Sequence, residues 1–97
     1  MTIDISKLEF EERVDSEVYG TTTLYFIGPK ELLGDEYPEA ESAEIRVEFD
    51  TNNLLDSDFY PTTMISPTKD GLDYDWNDLY IDDAAVVREL INIGLRK

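Results

Sequence analysis

The chain has 97 residues, enough for one domain with a single hydrophobic core, so residues 1–97 are predicted to form one acidic domain. It carries 23 acidic and 8 basic residues, which gives a formal net charge of −15. The electrostatic field of such a charge repels nucleic-acid phosphates and anionic membrane surfaces. His and Cys are both absent, which excludes imidazole and thiol catalysis, and the lack of disulfides favours a reducing cytoplasm as the location.

The first part of the chain is predicted to form a β-hairpin. The N-terminal residues MTIDISKLEF lack a basic segment followed by an apolar run, so no signal peptide is predicted. Alternation over residues 8–14 indicates a strand, with a short helix from Asp4 as the alternative. A turn at residues 15–17 then leads to a second strand over residues 18–27, in which Gly20 is expected to mark a bulge.

The middle of the chain contains the clearest strand. Gly28-Pro29 ends the preceding strand, residues 29–33 can form one helical turn, and residues 35–42 are predicted to be an exposed loop. Residues 43–50 alternate strictly, which indicates one buried and one solvated face. The predicted buried residues are Ala43, Ile45, Val47 and Phe49, and the predicted solvated residues are Glu44, Arg46, Glu48 and Asp50.

Two further strands are predicted after a polar turn at residues 51–58. Residues 59–66 favour a strand, although Pro61 confines it to an edge or places its start there. Residues 67–71 form the next predicted turn, in which Asp70-Gly71 is a hairpin signal. Residues 72–77 alternate again, with Leu72, Tyr74 and Trp76 against Asp73, Asp75 and Asn77.

The last segment is predicted to be a helix that Asp82 or Asp83 caps and that Gly94 ends. Its apolar stripe consists of Val86, Val87, Leu90, Ile91 and Ile93. The predicted fold is therefore α+β, an antiparallel sheet of about four to five strands with the C-terminal helix packed on one face. Leu90 and Ile91 are expected to cover Val47 and Phe49.

No catalytic, metal-binding or cofactor-binding motif is present, and the protein is predicted not to be an enzyme. Asp73, Asp75 and Asn77 match the first three ligands of a calcium-binding EF-hand loop. Asp78 and Ala84, however, occupy the positions that require Gly and a bidentate Glu. Paired carboxylates could act as the general acid and base of a hydrolytic enzyme. Among 23 acidic residues, however, some pair will always be close, so proximity alone is little evidence for catalysis.

The net charge instead favours binding to a basic protein surface. Our hypothesis is a small non-catalytic domain, an inhibitor or nucleic-acid mimic that masks a basic surface, such as that of a nucleic-acid-binding protein. Phage-encoded inhibitors and immunity proteins that neutralise nuclease toxins are examples of this class, by analogy only. The alternative is a structural or assembly subunit of a larger phage or bacterial complex, which predicts an exposed apolar patch.

Aromatic side chains flanked by carboxylates have the composition of a protein-binding hot spot. The competing interpretation is that the rings pack in the core and the acids form a solvated strand face. The predicted partner-binding residues are Asp73, Tyr74, Asp75, Trp76, Asp78, Tyr80, Glu44 and Glu48.

Overall fold

The computed structural model describes residues 3–51 and 61–96. These residues form six strands and one α-helix, with short 3-10 helices at Ile5–Lys7 and Lys30–Leu33. The elements are β1 (Glu9–Ser16), β2 (Thr21–Gly28), β3 (Ser42–Asp50), β4 (Thr62–Lys69), β5 (Leu72–Asp73), β6 (Asn77–Asp78) and α1 (Ala84–Arg96). The predicted α+β class, with an antiparallel sheet and a C-terminal helix, is confirmed.

The hydrophobic core lies between the sheet and α1. The strand order is β1-β2-β3-β4-β5, with β6 also paired to β4, so β3 is central. Its register places Val47 opposite Leu24 and Ile45 opposite Ile65. Leu90 and Ile91 of α1 belong to the same buried cluster as these residues, and the predicted burial together with Val47 and Phe49 is confirmed. We call this side of the sheet the core face.

The first hairpin differs from the prediction at its turn. The connection spans residues 17–20 and not residues 15–17, and Gly20 lies in that turn with a φ of +66°. The predicted bulge at Gly20 is therefore wrong. A register shift between Phe10 and Glu12 instead places a bulge in β1, where Glu11 is the extra residue.

The second hairpin follows the sequence signal at Asp70-Gly71. Asp70 and Gly71 have φ values of 56° and 79°, the pair of positive angles that a two-residue type I′ turn requires. Strand β4 begins just after Pro61, as predicted, but it continues through Pro67 to Lys69. Pro67 lies opposite Ala43 and is fully buried, so the predicted turn at this residue is wrong. Most of the predicted turn over residues 51–58 falls outside the described residues.

The predicted strand over residues 72–77 is interrupted. Only Leu72–Asp73 and Asn77–Asp78 pair with β4, while residues 74–76 belong to neither β5 nor β6. The strict alternation therefore does not hold, and Leu72, which was expected on the buried side, is 70% exposed. The break allows the side chains of residues 74–76 to leave the regular sheet geometry.

Helix α1 begins as predicted but does not end at Gly94. The Ala85 amide donates to Asp83 Oδ1 at 2.9 Å, so Asp83 acts as the capping residue. The helix continues to Arg96, and Gly94 is buried inside it. A Cβ atom at Gly94 would lie 2.4 Å from Leu24 Cδ1, so the glycine permits close helix–sheet packing and does not stop the helix.

Candidate partner-binding face

The face of the sheet opposite α1, here called the outer face, collects most of the predicted binding residues. Directly paired residues share a face, so the register assigns each strand residue to one side. Within the described strands, Arg46 is the one basic residue on this face. The eight acidic residues, three each from β1 and β3 and one each from β5 and β6, are Glu9, Glu11, Glu12, Glu44, Glu48, Asp50, Asp73 and Asp78.

Three of these acids form a carboxylate cluster, which we define as Glu11, Glu44 and Asp73. Glu44 is only 6% exposed, and its carboxyl group lies beside those of Asp73 and Glu11. Burial, and then these two neighbouring carboxyl groups, raise the pKa of Glu44 to about 9. Glu44 is therefore protonated at neutral pH and can donate a hydrogen bond, and the prediction that it is solvated is wrong.

Trp76 lies over the middle of the outer face. The Arg46 guanidinium carbon is 4.7 Å from the centroid of the Trp76 ring, a cation–π contact. Tyr25 of β2 meets the same ring edge-on at 6.5 Å between centroids. Arg46 also donates to Met64 Sδ. The Arg46 side chain is thus held by its aromatic neighbour, while Trp76 itself is half-buried.

The side chains of Tyr74 and Asp75 interact with the loop that precedes β3, while the Asp75 amide donates to Ser66 Oγ of β4 at 3.1 Å. Tyr37 donates its hydroxyl hydrogen bond to the Asp75 carboxylate, and Asn77 Nδ2 donates to the Tyr37 oxygen at 3.2 Å. Tyr74 donates to Glu39 Oε1 at 2.9 Å, and its ring meets that of Tyr37 edge-on at 6.1 Å. Desolvation and the Glu39 carboxylate raise the pKa of Tyr74 to about 12.

The predicted site residues therefore divide into two groups. Glu44, Glu48, Asp73, Trp76 and Asp78 share the outer face. The other three predicted residues lie elsewhere, since Tyr74 and Asp75 contact the loop before β3 and Tyr80, 77% exposed, lies between β6 and α1.

The sequence prediction did not include Glu11 and Glu12, which both lie on the outer face, Glu12 because of the bulge in β1. Glu12 lies opposite Tyr25, and Glu11 reaches Glu44 from the position of the extra residue. Simple alternation assigns Glu9, Glu11 and Arg13 to one side and Phe10 and Glu12 to the other. The bulge reverses this assignment for the second half of the strand, and no residue in the pattern indicates where it occurs.

Comparison with known proteins found no matching family model, no matching curated protein and no matching solved structure. Within residues 3–51 and 61–96, no group of three or more acidic side chains is arranged to hold a metal ion. Across the same residues, the helices are too short or too polar to cross a bilayer. The outer face is therefore the candidate binding site.

Proposed function

We propose that this protein binds a basic protein surface through its outer face and acts as an inhibitor or nucleic-acid mimic. The observation that supports this most strongly is the charge distribution of that face. Among its described strand residues are eight acids and a single basic residue, Arg46, whose guanidinium is stacked on Trp76. Glu44 is neutral at pH 7, so the remaining acids supply the negative potential.

The spacing of these carboxylates suits a partner rich in Lys and Arg. The acids lie on β1, β3, β5 and β6, with β2 and β4 between them. Strands lie about 4.8 Å apart, so the acids form an array of rows about 10 Å apart, with alternate residues along a row about 6.6 Å apart. Glu12, Glu48 and Asp78 are exposed members of this array on three different strands. A partner whose basic side chains normally contact nucleic-acid phosphates could contact these carboxylates in place of the phosphates.

Trp76 and Tyr25 supply an aromatic centre within the charged array. Interfaces are enriched in aromatic residues and Arg at their centre, with charged residues toward the rim. The contact between Trp76 and Arg46 holds the indole in a fixed position before binding, which reduces the entropy lost on association. The acids around it steer the approach of the partner and act mainly on the association rate.

A pair of triple variants tests this proposal. The outer-face variant is Glu12→Gln/Glu48→Gln/Asp78→Asn, and the matched control, Glu31→Gln/Asp35→Asn/Glu36→Gln, removes three exposed acids from the 3-10 helix Lys30–Leu33 and the loop after it. Both variants lose the same charge and keep side-chain size. The partner is captured on immobilised protein from a lysate of the source organism at about 20 mM NaCl and released at about 500 mM, where screening is strong.

Association rates of the purified partner are then measured for the wild type and both variants. The outer-face variant should associate about 10- to 100-fold more slowly at low salt, and the control should change much less. Equal slowing by both variants would show that net charge alone matters and would contradict the site. If neither variant slows association, the acidity serves solubility, and the hypothesis of an assembly subunit with an apolar interface is favoured.

A further inference from the structure

A surface cavity of about 170 Å³, which we call the acidic cavity, opens on the outer face beside the Asp70-Gly71 turn. The sheet register places Ser42 opposite Thr68 and Glu44 opposite Ile27, so these four side chains share that face. The side chains that line the cavity are Glu11, Ile27, Glu41, Ser42, Glu44 and Thr68. Three of them are acidic, two carry hydroxyl groups and none is basic, so the lining favours a cation.

Glu44 is the buried member of this lining, with only 6% of the residue exposed. An ionised carboxylate that is removed from water needs N–H or O–H donors, or a cation, in place of the lost water. The groups beside the Glu44 carboxyl are those of Glu11 and Asp73, which accept hydrogen bonds when they are ionised. The basic residue on the same face of β3, Arg46, is stacked on Trp76. In the described part of the chain, ionised Glu44 therefore has acidic neighbours and no cation beside it.

The other two acids reach the cavity from different segments. Glu11 is the extra residue of the bulge in β1, and Glu41 directly precedes β3. The Asp70 amide donates to Glu41 Oε1 at 2.6 Å, which holds this carboxylate at the edge of the cavity. Carboxyl groups thus surround the cavity on several sides before any ligand binds, and this arrangement lowers the entropy lost on binding.

A lysine ammonium group fits this lining better than a metal ion or an arginine. No three acidic side chains of the described residues are arranged to hold a metal ion, which requires oxygen atoms that converge to about 2.0–2.6 Å. An ammonium group directs three N–H donors apart, each to an oxygen about 2.8 Å away, so it suits acceptors placed around a cavity. The planar guanidinium of arginine pairs instead with one carboxylate in its own plane. Ile27 provides apolar surface for the methylene chain of the lysine.

We propose that the acidic cavity receives the ammonium group of a lysine side chain of the basic partner, with Glu11, Glu41 and Glu44 accepting its three hydrogen bonds. The inference rests on the proposed function for the source of the lysine, and it names the side chain that the partner inserts. The lysine supplies the donor that ionised Glu44 lacks, so Glu44 releases its proton to solvent as the lysine enters. This desolvated contact acts mainly on the dissociation rate, whereas the exposed acids of the outer face act on association.

Binding of Nα-acetyl-lysine amide to the protein alone tests the cavity without the partner. Amide chemical shifts of Ser42, Glu44, Thr68 and Gly71 are followed by NMR at pH 7 and about 20 mM NaCl, and they should change saturably. Nα-acetyl-norleucine amide, which has the same carbon chain without the ammonium group, should bind at least about tenfold more weakly. Nα-acetyl-arginine amide, with the same charge, should bind at least about threefold more weakly. Equal binding of the lysine and arginine probes, or shifts spread over the acids of the whole surface, would overturn the proposal.

Two variants of β3 separate the cavity from general attraction to a negative protein. Glu44→Gln should weaken binding of the lysine probe about tenfold, because the amide cannot ionise. Glu48→Gln, which changes an exposed acid on the same strand and face, should weaken it less than about twofold. General attraction predicts the reverse order, since Glu44 is protonated in the free protein at pH 7 and its replacement removes no charge. That reverse order would overturn the lysine site.

Glu41→Gln provides a second test if Glu44→Gln does not fold. Glu41 is exposed, and the glutamine oxygen can still accept from the Asp70 amide. This variant should bind the lysine probe about 2- to 5-fold more weakly, and unchanged binding contradicts the site. The proposed function fails separately. If the lysine probe does not bind but the outer-face triple variant associates more slowly with the partner, the lysine site fails and the proposed function stands. If the probe binds and the triple variant associates at the wild-type rate, the proposed function fails and the lysine site stands.

Discussion

Strand β3 presents two surfaces that are stabilised by different means. On the core face, Ile45 and Val47 are completely buried among other apolar side chains. On the outer face, Glu44 is nearly as buried, but it is a carboxyl group beside those of Asp73 and Glu11, and its raised pKa favours a retained proton. The stability gained from apolar burial depends on how well the core volume is filled and is insensitive to pH. The cost of burying a carboxyl group depends instead on its protonation state and on its hydrogen-bond partners.

This difference separates the consequences of mutation on the two faces. Changes on the core face should lower the free energy of unfolding at every pH and leave the charge of the outer face intact. Changes on the outer face should cost little stability at a single pH, but they should alter the dependence on pH, on salt and on a charged partner.

At a single pH, the largest expected effect comes from two adjacent residues of β3 that lie on opposite faces. Phe49→Ala should lower the free energy of unfolding by about 3–5 kcal/mol, because Phe49 is only 4% exposed. Glu48→Ala should change it by no more than about 0.5 kcal/mol, since Glu48 is exposed and accepts one long hydrogen bond of 3.3 Å from Thr23. Urea denaturation at pH 7 measures both, and similar losses would mean that the assignment of the two faces is wrong.

A smaller effect is expected where α1 approaches the core face most closely. Gly94→Ala places a Cβ atom 2.4 Å from Leu24 Cδ1, so Leu24 must shift, and the free energy of unfolding should fall by about 1–3 kcal/mol. Asn92→Ala, at an exposed position of the same helix, should stabilise slightly through its higher helix propensity. If both alanines stabilise, the close contact between α1 and β2 is absent.

Gly94 also shows where sequence patterns reach their limit. A glycine near the end of an apolar stripe predicts a helix stop, but here it permits a tertiary contact that only the folded arrangement defines. The alternation in β3, the Asp70-Gly71 turn and the cap at Asp83 were predictable because each depends on neighbouring residues.

The candidate site was only partly predictable for the same reason. Glu48, Asp73 and Asp78 could be identified from acidic, exposed sequence positions. The burial of Glu44 could not, because Glu11 and Asp73 approach it from strands about 30 residues away on either side of it in the chain, and the bulge in β1 leaves no local signal. Long-range pairing, and not local propensity, assembles the carboxylate cluster.

Stability should depend on pH mainly through the outer face. Folding raises the pKa of Glu44 from 4.5 to about 9, so the folded state retains a proton that the unfolded chain releases between these values. Stability should therefore fall as pH rises from about 4.5 to about 9, by at most about 1.4 kcal/mol per pH unit for one proton. Urea denaturation of the wild type and Glu44→Gln at several pH values checks this, and a flat wild-type profile contradicts it.

Below pH 4, stability should instead fall as the pH decreases. Hydrogen bonds from Ser6 to Asp4 and from Thr22 to Asp15 lower the pKa of each carboxyl group, so the stability they contribute is lost as pH falls through these lowered values. Both groups are exposed, so this contribution is small beside that of Glu44. Maximum stability is therefore expected near pH 4 to 5, between the two regions.

The smallest expected effect is the change in stability with salt concentration. It should depend on the charged outer face and not on the apolar core face. A net charge of −15 on a compact domain produces repulsion that is stronger in the folded than in the unfolded chain. Raising NaCl from about 20 to about 500 mM at pH 7 should stabilise the protein by on the order of 0.5 kcal/mol, about 2–4 °C in Tm.

The Tm of the triple variant Glu12→Gln/Glu48→Gln/Asp78→Asn should rise less with salt, because fewer charges of the outer face remain to be screened. The Tm of Phe49→Ala, which keeps all its charges, should rise with salt by the full amount from a lower starting value. A Tm that is flat or falls with salt in the wild type would mean that the acids of the outer face do not repel one another enough to affect folding, and it would also weaken the case for electrostatic steering of a basic partner.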